Sequence, residues 1–386
     1  MKFRCEHDSL VEILTTAGRA VGSRSTLSSA QSGLRLECVG NHLSVVGTDL
    51  DLTVHGTTEV IGLSDGDCVA PSKLLTDIVR SLEPGAVTIE SEDDKIEVGA
   101  ARSRFSLRTF NALDFPDLPI PPEPTTRLSA PALLDALRQV VRAASTDEAR
   151  PLLTGVLIAS EGNGLRLVAT DSYRLALRDI PGTGAVLETP QILVPARALV
   201  ELQRLTPLTG ITRSSRDTSN DGEEESASKE RTVGLSIGDH NVTFTVGDVR
   251  VSTRLLDGSY PDYRQLIPPE YPNRLHVGKD SLLDALRRVR LLVKDNVTPV
   301  RLSMRPGGVD LTVVSQEIGD ASETVDADFD GTDLTIAFNP TYLIDGVEAV
   351  TSDEVVLETV DASKPATVRA SEQTDFRYLL MPVRVS

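Results

Sequence analysis

Residues 155–180 read GVLIASEGNGLRLVATDSYRLALRDI. Apolar and polar residues alternate on both sides of the Gly162-Asn163-Gly164 tripeptide, which suits a tight hairpin turn between antiparallel strands. Altered versions of this text stand at residues 33–56, turning at Gly40 and Asn41, and at residues 300–325, turning between Pro306 and Gly308. Their ends stay in step: Thr48, Thr170 and Ser315 are spaced by 122 and 145 positions. A second landmark, a proline opening an apolar helix, falls at Pro71, Pro195 and Pro340, spaced by 124 and 145. Two unrelated landmarks with nearly the same spacing indicate one long unit used three times. A solenoid repeat would have a period of only about 20–50 residues.

Each copy is preceded by an amphipathic helix, expected over residues 5–21, 131–144 and 279–293. In the second of these Leu133, Leu137, Val140 and Ala144 recur at helical spacing. More alternating text follows each proline-led helix, at residues 86–110, 232–256 and 354–383. The expected architecture is therefore α+β: three similar domains, each with two helices packed on antiparallel sheets, built from a βαβββ-like half used twice. Proline-rich stretches at residues 115–127 and 260–274 read as semi-rigid joints, giving domains of 1–124, 125–272 and 273–386. Residues 213–231, RSSRDTSNDGEEESASKER, break the repeat and read as an acidic, disordered surface loop.

Composition narrows the function. With 39 basic against 57 acidic residues the net charge is −18, which repels nucleic acid and anionic membranes in bulk. Cys5, Cys38 and Cys68 show no CxxC spacing and suit buried thiols in a reducing compartment. The N-terminus is no signal peptide and no run approaches a membrane span, so a soluble cytoplasmic protein is expected. The five histidines, His7, His42, His55, His240 and His276, lack ligand spacing. Phosphate-loop, dinucleotide and nucleophile-elbow motifs are absent, so neither a cofactor, a metal nor an enzyme is expected. Asp49 and Asp171, at equivalent repeat positions, read as strand-end hydrogen-bonding groups rather than a catalytic pair. The cations gather on helices instead: Lys73 and Arg80; Arg138 and Arg142; Arg197 and Arg204; Arg287, Arg288 and Arg290. An acidic chain with cationic helices is expected to have two faces of opposite sign, although the last proline-led helix offers only Asp345 and Glu348.

The opening MKF, SRFSLRTF in the first domain, RPLLTGVLI and LVATDSYRLAL in the second, DGSYPDY before the second joint, FNPTYLIDGV in the third and the closing YLLMPVRVS together resemble the bacterial replicative sliding clamp, the beta subunit of DNA polymerase III. The likeness runs the whole chain in the family's order. It implies the DNA clamp fold, with each chain half of a ring that closes as a head-to-tail homodimer around duplex DNA. Twelve helices about 8–10 Å apart enclose a circle roughly 32–38 Å across between axes, and a helix is roughly 10 Å thick, so a duplex and its water layer fit inside. DNA would then be held by topology, with sequence-blind phosphate contacts from Arg24, Lys73, Arg138, Arg142, Arg197, Arg287, Arg288 and Arg290.

The resemblance further implies a cleft between the second and third domains that receives apolar peptides of DNA polymerases, the clamp loader and repair proteins. Matching positions are Arg150, Leu152, Leu153, Thr170, Ser172, Arg174, Leu175, Pro261, Leu266, Pro365, Leu379, Leu380, Met381, Pro382 and Arg384. Read from the residues alone, Leu153, Leu175 and Leu379 could equally be ordinary core. Ring closure maps to Phe105 and Leu107 at one end and Leu291 and Leu292 at the other. The chain departs from the family after Arg24, where STLSSAQSGLRL replaces a proline and an apolar pair, and at Pro151 and Leu152, where some members carry aromatics. Three other readings stay open: a specialised second clamp copy, a monomeric interaction scaffold that never encircles DNA, and an enzyme with an unrecognised site.

Overall fold

The computed structural model describes residues 1–22, 32–119, 123–182, 190–205, 232–294, 298–372 and 375–384. Arg24, residues 25–31 of the departure that follows it and the acidic stretch 213–231 lie outside these residues. Six helices are described: α1 (His7–Gly18), α2 (Ser72–Ser81), α3 (Ala130–Val140), α4 (Ala196–Leu205), α5 (Lys279–Arg290) and α6 (Pro340–Ala349). Each follows one strand and precedes three, so the order strand–helix–strand–strand–strand recurs six times. Two short strands, Ile61–Ser64 and Ala327–Asp330, are additions to that plan. Helix α6 shows how such a helix is started. Pro340 pre-sets the first turn, while the Asn339 side chain accepts from the backbone N–H groups of Thr341 (2.9 Å) and Tyr342 (3.3 Å).

Within each repeat the two halves exchange their leading strands. Lys2–Glu6 leaves its own half to pair with Ala86–Glu92 (Phe3 opposite Ile89), while Gly66–Pro71 returns to Gly33–Val39 (Leu36 opposite Cys68). The later repeats do the same, pairing Leu128 with Val233 and Leu157 with Leu193, then Leu275 with Leu357 and Leu302 with Ile336. Neither half can therefore complete its sheet without the other.

The chain forms two compact units, Met1–Pro131 with Arg197–Leu255, and Ala132–Ala196 with Leu256–Ser386. The first holds a five-stranded and an eight-stranded antiparallel sheet. The eight strands are continuous because Leu52–Glu59 pairs with Val249–Arg254, Val54 opposite Val251. Helices α1 and α2 cover a core that includes Phe3, Leu10, Leu14, Leu36, Val45, Leu75 and Ile89, all fully buried. Cys5, Cys38 and Cys68 are free and buried in it, and burial pushes the Cys68 thiol up to about 11. The helix sits so close to the sheet that a Cβ on Gly47 would lie 2.1 Å from the Ala17 carbonyl oxygen. Gly47→Ala should accordingly cost about 1–3 kcal/mol, an overpacking penalty read from the shift of the denaturation midpoint. An unchanged midpoint would mean that α1 is free to back away.

The second unit holds a nine-stranded and a four-stranded sheet. Its seam is the pairing of Arg174–Pro181 with Phe376–Leu380, Leu175 opposite Leu379. Among the described residues no helix is long and apolar enough to cross a membrane.

Candidate functional site

The turns predicted from the recurring Thr-Asp pairs are built alike. The Thr170 hydroxyl donates to the Arg174 carbonyl oxygen (2.6 Å) and accepts from the Ser172 N–H (3.2 Å), and Asp171 Oδ1 accepts from the N–H groups of Tyr173 (2.9 Å) and Arg174 (3.0 Å). Thr48 and Asp49 repeat this with Leu50, Asp51 and Leu52. Ser172 and Leu50 both take φ of 80°, which a side chain normally avoids and these carboxylate-braced turns impose. Asp49 and Asp171 are thus structural acceptors, as the repeat indicated.

From the second turn Arg174 reaches into the unit, with its side chain only 11% exposed. Its Nε donates to Asp171 Oδ2 (3.0 Å), its Nη1 to Asp345 Oδ2 of α6 (2.5 Å) and its Nη2 to the Arg142 carbonyl oxygen (2.5 Å). The guanidinium lies 4.4 Å from the Tyr342 ring centroid, and that ring stacks on Tyr173. Tyr378 donates from its hydroxyl to the Tyr342 carbonyl oxygen (2.9 Å). One side chain thereby joins the seam strand, α6 and the turn after α3.

Around this anchor the structure gathers most of the cleft residues named from the sequence. Leu175 and Leu379 are buried beside Leu157, Val168, Leu177, Leu193 and Tyr263, and Leu152, Leu256, Tyr260 and Ile267 pack on them half-buried. Arg150 stands at the edge, donating from Nη1 to Ser172 Oγ (3.1 Å) and from Nε to Asp147 (2.9 Å). Leu266 and Met381 are 42% and 41% exposed, and the Met381 N–H is held by the Tyr173 carbonyl oxygen (2.9 Å). Pro261 and Arg384 are exposed, and Pro365 and Pro382 are half-buried. Leu153 and Leu380 are buried, and Leu380 has no exposed surface, so it is core and offers nothing to a visiting peptide. Sequence reading missed the tyrosines at 173, 260, 263, 342 and 378, and Asp345. The DSYR and SYPDY stretches carried the first three in plain view, while Tyr342, Tyr378 and Asp345 join only through the seam.

The helix cations are less free than expected. Arg138 pairs with Asp135 (3.3 Å), Arg197 with Asp49, Arg287 with Glu348 (2.9 Å) and Asp284 (3.6 Å), and Arg142 with Glu348 (2.8 Å). Arg288 is drawn off the helix face altogether, since it holds Glu323 of the strand Gly319–Val325 bidentately (2.7 and 3.0 Å). Among the described residues Lys73 and Arg290 form no ion pair. Carboxylates thus already occupy most of the helix arginines, Glu348 of the last proline-led helix among them. Asp or Glu stands three positions before several of them, α6 supplies Glu348 to Arg142 and Arg287, and Asp49 and Glu323 serve Arg197 and Arg288.

The residues assigned to ring closure lie at sheet ends. Ser103–Arg108 is the last strand of the five-stranded sheet and Gly319–Val325 the last of the four-stranded one. Phe105 is 37% exposed and Leu107 packs half-buried on the first core. Leu291, just beyond α5, is 82% exposed, with Leu292 half-buried beside it. Arg102, Arg104 and Arg108 flank the first end, and Glu317, Asp320 and Glu323 the second. No group of three or more His, Cys, Asp or Glu able to hold a metal occurs among the described residues.

Comparison with known proteins agrees with this architecture. Three profiles of the DNA polymerase III beta subunit match in order: the N-terminal domain over residues 1–119, the central domain over 127–210 and the C-terminal domain over 264–384. The chain is 32% identical over 398 residues to the beta sliding clamp of Streptomyces coelicolor and 30% identical over 407 residues to that of Synechocystis, with all of each chain covered. A solved structure of the sliding clamp from Bartonella birtlesii, bound to griselimycin, superposes with a TM-score of 0.88 at 28% identity, again over the whole of both chains. The fold is the DNA clamp fold. The chain belongs to the bacterial DNA polymerase III beta subunit family, the beta sliding clamps, and its role is that of a clamp, a non-catalytic processivity factor of the polymerase.

Proposed function

We propose that three domains, residues 1–124, 125–272 and 273–386, make half of a ring, and that two copies close head to tail around duplex DNA in the cytoplasm. The observation that carries this reading is a pattern of sheet ends. In each half-repeat the last strand is a potential joint. Four of the six are consumed in the seams Val54–Val251 and Leu175–Leu379. Ser103–Arg108 and Gly319–Val325 remain, each paired on one side only. An edge strand left open in this way is a ready joint for another chain, and a head-to-tail partner would offer the complementary end with opposite charge.

The ring tethers the polymerase to its template. Helix cations meet phosphates without reading bases, so DNA can slide while the closed ring prevents its escape. The Leu152, Leu266 and Met381 surface over the Leu175 and Leu379 floor, with Arg150 at its edge, suits short apolar peptides. A methionine there can reshape around different side chains. Polymerases, the clamp loader and repair proteins are the partners this surface fits.

The test is topological. Loaded onto nicked circular plasmid by a clamp loader, the protein should be retained on the circle and lost when the plasmid is cut. A complex that survives linearisation would overturn encirclement, and a chain that cannot be retained on the circle would point to a monomeric scaffold.

A further inference from the structure

The paired arginines of α3 and α5 raise a question that DNA tethering alone leaves unanswered: why a surface meant for phosphate should carry its own anion. Beside α3, α5 and α6 lies a cavity of about 520 Å3 lined by Arg138, Gln139, Arg142, Lys279, Arg287 and Glu348, among others. In its lining one carboxylate bridges two guanidinium groups. Arg142 Nη1 donates to Glu348 Oε2 (2.8 Å) and Arg287 Nη2 donates to Glu348 Oε1 (2.9 Å). A phosphodiester presents two non-bridging oxygens in much the same way.

We propose that Glu348 is an intramolecular surrogate for a DNA phosphate, and that duplex DNA engages this helix face by displacing it from Arg142 and Arg287. The inference rests on the sliding-clamp reading and deepens it, because it names the residue that sets how firmly the clamp grips.

Three observations support an anion that can leave. The arginine side chains are 59% and 54% exposed and Glu348 is 31% exposed, so the pairs are solvent-screened and weak. The end of α6 does not depend on them. Lys279 Nζ donates to the carbonyl oxygens of Glu348 (3.3 Å) and Val350, and Gln139 Nε2 to that of Ala349 (2.8 Å). The helix terminus therefore stays anchored when the Glu348 side chain swings away. The rest of the cavity is a poor anion site, because Asp135, Asp280 and Asp345 also line it and Asp345 lies 3.7 Å from Arg142. Only the position between the two arginines suits phosphate. A carboxylate in that position favours weak, exchangeable contacts, which are what sliding requires.

The experiment compares the full-length chain with Glu348→Gln, which keeps the side-chain shape and removes the charge. Binding to a fluorescein-labelled short duplex is followed by anisotropy across a salt series. E348Q should bind several-fold tighter at low salt, with a log–log salt slope steeper by about 0.9, the value for one added phosphate contact. Adding Arg142→Gln and Arg287→Gln to E348Q should remove the gain. Equal affinity and slope for wild type and E348Q would overturn the proposal. So would a variant that only lowers the denaturation midpoint, which would make Glu348 a structural staple. The plasmid assay runs alongside. Failure of wild type to be retained on a circle refutes encirclement while the anisotropy arm still reports on Glu348, whereas retention with no E348Q effect refutes this inference alone.

Discussion

Leu291→Asp should elute as a single 41.5 kDa chain under conditions where the unaltered protein elutes at twice that mass. Leu291 is 82% exposed beside the last strand of the four-stranded sheet, a cost in water that a closed ring would remove. A carboxylate in its place would sit against the apolar Phe105 and Leu107 of the partner subunit, losing the burial of a leucine and desolvating a charge that the flanking arginines offset only in part. The combined cost is on the order of 4 kcal/mol, which is about a thousandfold in dissociation constant. Leu113→Asp is the control, since Leu113 is 92% exposed but belongs to neither edge strand. The ends also carry opposite charge, Arg102, Arg104 and Arg108 against Glu317, Asp320 and Glu323, so association should weaken as salt rises. Sedimentation equilibrium of both variants over a salt series reads these effects together. A Leu291→Asp protein that still dimerises with wild-type affinity would remove this end from the interface.

The repeat was legible because its signals are local. Alternation around residues 162–164 gives a hairpin, and a proline before an apolar stripe gives a helix start. Both emerged where expected, with helix ends shifted by only a few residues. The Thr-Asp landmarks were legible for the same reason, since a short side chain bonding its own backbone two or three residues on is a property of the local text. In the third repeat Ser315 keeps the position but not the turn. Gly319 takes the positive φ there instead, so the chemistry of the pair could not be carried across.

Partnership was not legible. Periodicity tells which face of a strand is buried but not which strand lies beside it. Neither the exchange of leading strands nor the seams at Val54–Val251 and Leu175–Leu379 could be read from the text. The ion-pair partners of the cations were not legible for a related reason. The cations were counted helix by helix, and the carboxylate that neutralises Arg142 stands 206 positions away. Leu153, Leu175 and Leu379, which the residues alone allowed as ordinary core, are all buried, and the neighbours that surround Leu175 and Leu379 are those the seam brings in.

Arg174→Ala should be the most destabilising single change in the second unit. Arg174 is 11% exposed and neutralises Asp171, 10% exposed, and Asp345, 22% exposed. Removing it leaves Asp171 without an ion-pair partner and Asp345 with only the more distant Arg142 (3.7 Å), and also strips Tyr342 of its cation–π partner. Breaking a buried pair in this way costs about 3–5 kcal/mol, more than any surface pair could recover. Lysine should rescue little. A single ammonium cannot span Asp171, Asp345 and the Arg142 carbonyl oxygen as the planar fork does, nor stack as well on the ring. The double change of Arg174→Met with Asp345→Asn should recover part of the loss, because the penalty is the stranded charge rather than the missing attraction. Denaturant unfolding of the four proteins measures this directly. If Arg174→Ala costs less than about 1 kcal/mol, the value of an exposed pair, the guanidinium is not what holds α6 to the seam strand. The mutant should also loosen the α6 end that carries Glu348, so its duplex affinity should shift together with its stability. E348Q should change affinity alone.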